Sequence, residues 1–253
     1  MSDTPQSDRL WEIEDRYRAR FEAETLTYGT VRDFADSRDH MPRLARSQGD
    51  MKDLQRSWMV KAILGAVAPG SRLIEIGAGD PLAADLLSRL DYRVTVVDPY
   101  DGSGGGPLEF EEVRRAYPHL DFIRERFPSA AALPEDPAAV YSISVLEHIP
   151  LERVGAVVEA SMDALAPGGI CVHAVDHVVA GWGANQHLER LEEIVRRSGI
   201  PLAHLHELLR RLESDPETYF VSAEAHERWR GALPYEHYPM RRITSIGVLS
   251  RRR

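Results

Sequence analysis

The sequence contains little of what disulfide-bonded, membrane-spanning or secreted proteins require. Its single cysteine, Cys171, cannot form an intramolecular disulfide and offers no second thiolate for a zinc site. No stretch approaches the roughly 18 consecutive apolar residues that a membrane-spanning helix needs. The first eight residues are polar and acidic, without the basic start and apolar run of a secretory signal. We therefore expect a cytoplasmic protein with no membrane partner.

An excess of basic charge is also absent. The chain has 31 Lys and Arg residues against 40 Asp and Glu residues, which gives a formal net charge of −9. Binding of duplex nucleic acid depends on a basic face, so this balance argues against such a partner. The hydrophobic fraction of 43% and the charged fraction of 28% lie near globular averages. A chain of 253 residues can bury one large core, with or without a small lid.

The chain divides into a helical beginning and a longer part in which strands and helices alternate. Apolar residues at three- and four-residue spacing predict one helix within the first 25 residues and a second from Met51 to Val67, ended by Pro69-Gly70. Beyond it, runs typical of strands occupy 72–76, 93–97, 121–124, 140–144 and 170–175. Helical segments are predicted between and after them, at 82–90, 108–117, 151–165 and 188–197. This alternation predicts a doubly wound α/β fold with a mainly parallel sheet.

The last quarter of the chain is predicted to contain helices at 202–212 and 221–229 and a final strand at 243–250. Nothing in the sequence gives their order in the sheet. A Gly-Ser tract at 102–106 is predicted to be a flexible surface loop.

The strongest functional signal is the segment Leu73 to Pro81, an apolar strand that runs into the turn Gly77-Ala78-Gly79 and then into a helix. Glycines in such a turn let the backbone approach a ligand closely. A dinucleotide fingerprint would have Gly or Ala where this chain has Leu82, and Asp80 puts negative charge where a pyrophosphate would bind. A phosphate is therefore the wrong ligand for this turn.

Carboxylates around the turn favour a ligand with a cationic group. Glu75 lies at the strand end and Asp80 in the turn, where both would attract an ammonium or a sulfonium. Asp98 follows the next strand, 19 residues after Gly79, and a carboxylate at about this distance accepts hydrogen bonds from ribose hydroxyls. S-adenosylmethionine is a nucleoside with a positive, amino-acid-like tail, so it is the predicted cofactor.

These residues resemble the first motif of the class I S-adenosylmethionine-dependent methyltransferases, small-molecule type. Three further segments carry the resemblance, in family order: Val97-Asp98-Pro99, Ser142 to Pro150, and Leu165 to Gly169. The resemblance covers roughly residues 57–176 and implies a seven-stranded Rossmann-like methyltransferase sheet. It departs from the family at Pro81, where a third glycine is common, and at Ala138-Ala139, where an aspartate is common.

The resemblance also implies an organisation and a cofactor site. Residues 1–50 would form an N-terminal helical cap, and residues 51–253 the methyltransferase domain, with substrate-binding insertions within 177–242. The implied cofactor-binding residues lie at strand ends and in the turns that follow them. They are Glu75, Gly77, Ala78, Gly79, Asp98, Pro99, Arg126, Phe127, Ser144 and Val145.

Two histidines are the candidate catalytic residues. His148 and His177 are expected to follow the fourth and fifth predicted strands, on the rim where the methyl group would lie, and imidazole is suited to accept a proton near neutral pH. His173 alternates in phase with buried strand positions, so we expect a structural role for it. In a metal-assisted alternative, Glu147 and His148 would hold a divalent cation, completed by His177, Asp176 or His187. A helix-start role is the simpler interpretation of Glu147, so no metal ligand is assigned and the metal-assisted alternative stays open but is not favoured.

The acceptor is predicted from the C-terminal part. Trp182 lies in a glycine-rich loop where it could form a pocket wall. The segment from 219 to 242 mixes aromatic residues with arginines, which suits sugar rings and phosphates; these residues are Tyr219, Phe220, Arg228, Trp229, Arg230, Tyr235, Tyr238, Arg241 and Arg242. We expect O-methylation of a sugar-containing or polysaccharide-precursor substrate. The alternatives are an RNA methyltransferase, a nucleotide-binding oxidoreductase and a catalytically silent binding module.

Overall fold

The structure, a computed structural model, describes residues 9–46, 49–102, 109–129, 132–230 and 242–252. Within them, seven strands form one sheet. The strands are β1 (Leu26–Tyr28), β2 (Arg72–Ile76), β3 (Arg93–Val97), β4 (Asp121–Ile123), β5 (Ala139–Ile143), β6 (Ile170–Ala180) and β7 (Arg242–Arg251).

The strand order across the sheet is β1-β7-β6-β5-β2-β3-β4. The five strands from β6 to β4 are parallel, whereas β7 runs antiparallel to both β6 and β1. The central strands are rich in valine and isoleucine and are buried on both faces, as parallel sheets require. This architecture confirms the predicted mainly parallel, doubly wound α/β fold.

The helices cover both faces of the sheet. They are α1 (Leu10–Tyr17), α2 (Val31–His40), α3 (Lys52–Ala66), α4 (Leu82–Arg89), α5 (Phe110–Ala116), α6 (Leu151–Ala164), α7 (Ala184–Arg197), α8 (Leu202–Ser214) and α9 (Ala223–Arg230). Side chains of α3 and α4 form one apolar core with the sheet, and those of α6, α7 and α8 form another. Within the described segments, no helix is both long and apolar enough to cross a membrane.

The N-terminal region is helical, as predicted, but it also contains a strand that the periodicity did not predict. β1 pairs with β7, with Leu26 opposite Val248 and Tyr28 opposite Ile246. The buried ammonium of Lys61 on α3 binds Asp36 of α2 at 2.8 Å, which fastens this region to the rest of the protein. The division into a cap and a methyltransferase domain stays a prediction.

β6 is five residues longer than the strand predicted at 170–175. Its extension pairs with β7, so that His177 lies opposite Thr244 and Val178 opposite Ile243. The sequence predicted that this strand ends at residue 175. In the structure, β7 supplies the hydrogen-bond partners that make residues 176–180 part of β6. Gly102 of the Gly-Ser tract lies in a bend, whereas residues 103–106 of that tract lie outside the described residues.

Candidate functional site

The backbone of the glycine turn between β2 and α4 has a conformation that residues other than glycine adopt only at an energetic cost. Gly77 has φ +65° and Gly79 has φ +58°, both in the left-handed region. A Cβ atom added to Gly77 would lie 2.9 Å from both methyl carbons of Val145. The chain therefore needs glycine at position 77 both for its conformation and for the close approach of Val145.

The carboxylate of Asp98 is bound to this turn. Its Oδ2 accepts a hydrogen bond from the backbone N–H of Gly79 at 3.0 Å, and its Oδ1 accepts one from the N–H of Tyr100 at 2.7 Å. Asp98 follows β3 directly and is buried. Because each carboxylate oxygen has a second lone pair, Asp98 can still accept hydrogen bonds from a ligand's hydroxyl groups.

Glu75 lies near the end of β2 and is almost completely buried. The hydroxyl of Tyr141 donates a hydrogen bond to its Oε2 at 3.1 Å. Burial raises the pKa of Glu75 to about 7, although this hydrogen bond and the charge of Arg56 act in the opposite direction. A cation bound beside Glu75 would favour its ionised form.

One cavity of about 610 Å³ lies at the carboxyl ends of β2, β3 and β5. Eleven of the twelve residues that the sequence nominated line this cavity. They are Glu75, Gly77, Ala78, Gly79, Asp98, Pro99, Arg126, Phe127, Ser144, Val145 and His148. The parallel arrangement of the strands brings these distant segments together at one edge of the sheet.

Several residues that support this cavity were not predicted. The hydroxyl of Tyr117 donates to Oδ1 of Asp80 at 2.6 Å, and that of Tyr100 donates to the carbonyl of Gly79 at 3.1 Å. Lys52 and Arg56 of α3 line the cavity and add positive charge. The heptad-like pattern of α3 indicated a helix, but it gave no signal for which side chains face a ligand.

His148 ends a short 3-10 turn, Leu146–His148, that follows β5. It lines the cavity beside Ser144, Ile149 and Pro150. Desolvation by the cavity walls lowers the pKa of His148, and the positive charges of Lys52, His187 and Arg190 lower it further. The imidazole is therefore held in its neutral form at pH 7, in which it can accept a proton.

The prediction that His177 lies on the rim is wrong. It lies within β6, is buried, and is not among the residues that line the cavity. Burial lowers its pKa to about 4, and its Nδ1 has no hydrogen-bond partner among the described residues. The reason is the extension of β6, which takes His177 into the interior, close to His187 of α7.

A buried polar network holds the turn that carries His148. Asp176 of β6 accepts hydrogen bonds from Gln55 Nε2 at 2.9 Å and from Ser144 Oγ at 3.3 Å. The backbone N–H of Asp176 donates to Glu147 Oε1 at 2.9 Å. Burial of both acidic side chains raises the pKa of each of them. The network links α3, β6 and the 3-10 turn beneath the cavity.

The residues predicted to bind the acceptor lie elsewhere or make internal contacts. Trp182 is 56% exposed and does not line the cavity. Tyr219 stacks on Phe34 with ring centroids 4.9 Å apart, and the guanidinium of Arg242 lies 4.1 Å from the ring centroid of Phe220. Positions 231–241, which include Tyr235, Tyr238 and Arg241, lie outside the described residues, and so do the side chains of Arg228, Trp229 and Arg230.

The residues of the cavity fit S-adenosylmethionine. The glycine turn at Gly77 and Gly79 lines the cavity with main chain, and the nearby acidic groups Glu75, Asp80 and Asp98 suit a cation and a ribose. The family model for a methyltransferase domain matches residues 52–253, well over half of the chain. The chain belongs to this methyltransferase family.

This methyltransferase is a class I enzyme that depends on S-adenosylmethionine, which confirms the family and cofactor that the sequence predicted. No curated protein sequence matches it significantly. Among its described residues, no three His, Cys, Asp or Glu side chains cluster as a metal site would require. The metal-assisted alternative therefore gains no support from the geometry.

Solved structures with a similar chain trace are distant in sequence. The N-methyltransferase NodS from Bradyrhizobium japonicum, solved with S-adenosyl-L-homocysteine, is 15% identical with a TM-score of 0.48, over 87% of this methyltransferase and 98% of NodS. An S-adenosylmethionine-dependent methyltransferase from Mesorhizobium loti is 18% identical with a TM-score of 0.48, over 82% and 100% of the two chains. At this level of sequence identity and structural similarity, neither protein identifies the methyl acceptor of this methyltransferase.

Proposed function

We propose that this methyltransferase transfers a methyl group from S-adenosylmethionine to a hydroxyl oxygen of a small molecule, with His148 as the general base. One observation carries the proposal: a single cavity joins the glycine turn and Asp98 to His148. A cofactor held at the glycine turn and an acceptor beside His148 would share this space. Methyl transfer needs such alignment of the acceptor with the methyl group.

The proposed cofactor contacts follow from the chemistry of the lining residues. Asp98 accepts hydrogen bonds from the ribose, and the charges of Glu75 and Asp80 favour the cationic tail. Pro99, Arg126, Phe127, Ser144 and Val145 border the space available to the adenine, and Ala78 offers main chain in the turn. Arg56 is suited to the carboxylate of the tail, because its charge already acts on Glu75. When bound, S-adenosylmethionine supplies an electrophilic methyl group.

His148 takes the proton of the acceptor hydroxyl in this proposal. Its lowered pKa keeps the ring neutral at pH 7, so no proton must leave it first. Ile149, Pro150 and Val157 supply apolar wall next to it, which helps to exclude competing water.

The finer identity of the acceptor stays a prediction. A sugar-containing or polysaccharide-precursor substrate was expected from residues 219–242, and Tyr219 and Phe220 of that segment are engaged in internal contacts. The cavity volume of about 610 Å³ lies in the range typical of small-molecule sites, which favours a small molecule over a nucleic acid. A cytoplasmic location is likewise expected from the sequence alone.

Cofactor binding and methyl transfer test the proposal separately. Isothermal titration should give micromolar-range affinity for S-adenosylhomocysteine and none for NADH or NADPH, and the reverse result would indicate an oxidoreductase. A panel of hydroxyl and amine acceptors with isotope-labelled S-adenosylmethionine should then yield a methylated hydroxyl compound, and His148→Gln should reduce its formation at least about 100-fold. Undiminished product formation by His148→Gln would rule out His148 as the base. A methylated amine, with no methylated hydroxyl, would contradict O-methylation.

A further inference from the structure

Lysine is rare in this protein, and its two lysines have opposite environments. Of the 31 Lys and Arg residues, only Lys52 and Lys61 are lysines. Lys61 is 3% exposed and forms ion pairs with Asp36 and Asp33. Lys52 is half-buried and lines the cavity. Its side chain forms no ion pair or hydrogen bond with any part of the chain that the structure describes.

Lys52 and Arg56 lie four residues apart on α3 and reach different parts of the cavity. The charge of Arg56 acts on Glu75, near the glycine turn. The charge of Lys52 acts on His148, which also lines the cavity, and on Asp176. The charge of Arg56 is therefore felt at the glycine turn, and the charge of Lys52 is felt at His148, where the acceptor would bind.

The charged groups that act on His148 are all basic. They are Lys52 of α3, His187 of α7 and Arg190 of α7. Lys52 also acts on the acidic group of Asp176, but both carboxylate oxygens of Asp176 already accept hydrogen bonds, from Gln55 and Ser144. A half-buried lysine that lines a cavity and has no ion-pair partner among the described residues favours an anion that enters from solvent.

We propose that Lys52 binds an acidic group of the methyl acceptor, a carboxylate or a phosphate, and so orients the acceptor hydroxyl beside His148. This inference rests on the proposed function, since it assumes that the cavity holds cofactor and acceptor together. It adds the substrate class: the acceptor is an anionic hydroxy compound.

Protection of Lys52 from acetylation tests the proposal without a known acceptor. The protein, saturated with S-adenosylhomocysteine, is treated with N-hydroxysuccinimidyl acetate, and the peptide that contains Lys52 is quantified by mass spectrometry. Sodium benzoate, phenyl phosphate and neutral benzyl alcohol are compared at constant ionic strength, with an added lysine peptide as the internal standard for the reagent. At an anion concentration of about twice its dissociation constant, acetylation should slow about threefold.

The three compounds show whether the site binds a carboxylate, a phosphate or either of them. Protection by benzoate alone indicates a carboxylate, protection by phenyl phosphate alone indicates a phosphate, and protection by both indicates a site that accepts either. Benzyl alcohol should leave the rate unchanged. Equal acetylation in all arms, or equal protection by benzyl alcohol, would overturn the proposal.

Two variants separate this inference from the proposed function. Lys52→Met should change the affinity for S-adenosylhomocysteine less than about twofold, whereas Arg56→Met should weaken it about tenfold, the effect of roughly 1.4 kcal/mol from one lost charged hydrogen bond. A tenfold loss in Lys52→Met would assign Lys52 to the cofactor and overturn the proposal. Absence of S-adenosylhomocysteine binding by the wild type would defeat the proposed function itself.

Discussion

The carboxylate of Asp98 accepts a hydrogen bond from the backbone N–H of Gly79, with 3.0 Å between nitrogen and Oδ2. The residue predicted to bind the ribose therefore also fixes the turn that would face the rest of the cofactor. Because one side chain performs both tasks, its removal should affect binding more than the loss of a single ligand contact would.

Asp98→Ala should weaken binding of S-adenosylhomocysteine by about 10- to 100-fold, since charged hydrogen bonds contribute about 1.5–3 kcal/mol each and 1.4 kcal/mol is a tenfold change. Isothermal titration measures the effect. Asp121→Ala is the matched control, because Asp121 is exposed at the start of β4 and does not line the cavity. Undiminished affinity in Asp98→Ala would remove the ribose assignment.

Gly77→Ala should reduce both stability and cofactor affinity. The new methyl group would meet Val145 at 2.9 Å, and the residue would keep a φ of +65°. Gly70→Ala isolates the backbone effect, because Gly70 has φ +78° but no neighbour within 4 Å of an added Cβ. Gly70→Ala should cost about 1 kcal/mol in the free energy of unfolding, and Gly77→Ala about 2–3 kcal/mol. Equal losses in urea titrations would show that Val145 simply moves aside.

The pH dependence of methyl transfer should report His148. Because a general base works in its deprotonated form, kcat should rise with pH, and the midpoint of this rise should lie below the ordinary histidine value of about 6.5, since the pKa of His148 is lowered. Lys52→Met should move this rise to higher pH, because Lys52 contributes to the lowering. His148→Gln should reduce kcat about 100- to 10,000-fold. A profile that is identical in wild type and Lys52→Met would contradict this assignment.

His177 should influence stability instead of catalysis. Burial lowers its pKa to about 4, whereas an unfolded histidine titrates near 6.5, so protonation favours the unfolded chain as the pH falls from 6.5 to 4. This histidine should lower the free energy of unfolding by about 3 kcal/mol at pH 4 relative to pH 7. His177→Leu should remove that loss, which urea titrations at pH 7, 5.5 and 4.5 would measure.

Other buried groups also titrate in this range, so the diagnostic quantity is the difference between wild type and His177→Leu at each pH. Glu75 changes the stability in the opposite direction. Its pKa is raised to about 7 in the folded protein, so its contribution to the free energy of unfolding is present at low pH and is lost as the pH rises from 4.5 to 7. His204→Leu, at an exposed position on α8, is the control. A difference for His177→Leu that does not grow as the pH falls would refute the assignment.

The sequence predicted the cavity well because its determinants are local. Gly77, Gly79 and Asp98 each belong to a short motif at a strand end, and parallel strands place such ends together without further information. The same reasoning identified Ser144 and His148, which follow β5 within a few residues.

Features that depend on non-local partners were missed or misplaced. The length of β6, and therefore the burial of His177, is determined by β7, which lies some 70 residues further along the chain. The strand at Leu26–Tyr28 is too short for its own periodicity to indicate a strand. Lys52 faces the cavity through the packing of α3 against the sheet, which an almost wholly buried helix does not reveal in its pattern.

The pairing of β1 with β7 joins residues near opposite ends of the sequence. During synthesis, Leu26–Tyr28 leaves the ribosome before any other strand of the sheet, yet its partner is the last to appear. The entropic cost of closing a loop grows only slowly with loop length. The separation of β1 and β7 in sequence therefore delays the formation of their contact more than it lowers the stability of the folded protein. Until β7 appears and joins the sheet, nascent molecules would display an open edge at β6, and in this period they are most vulnerable to association with one another.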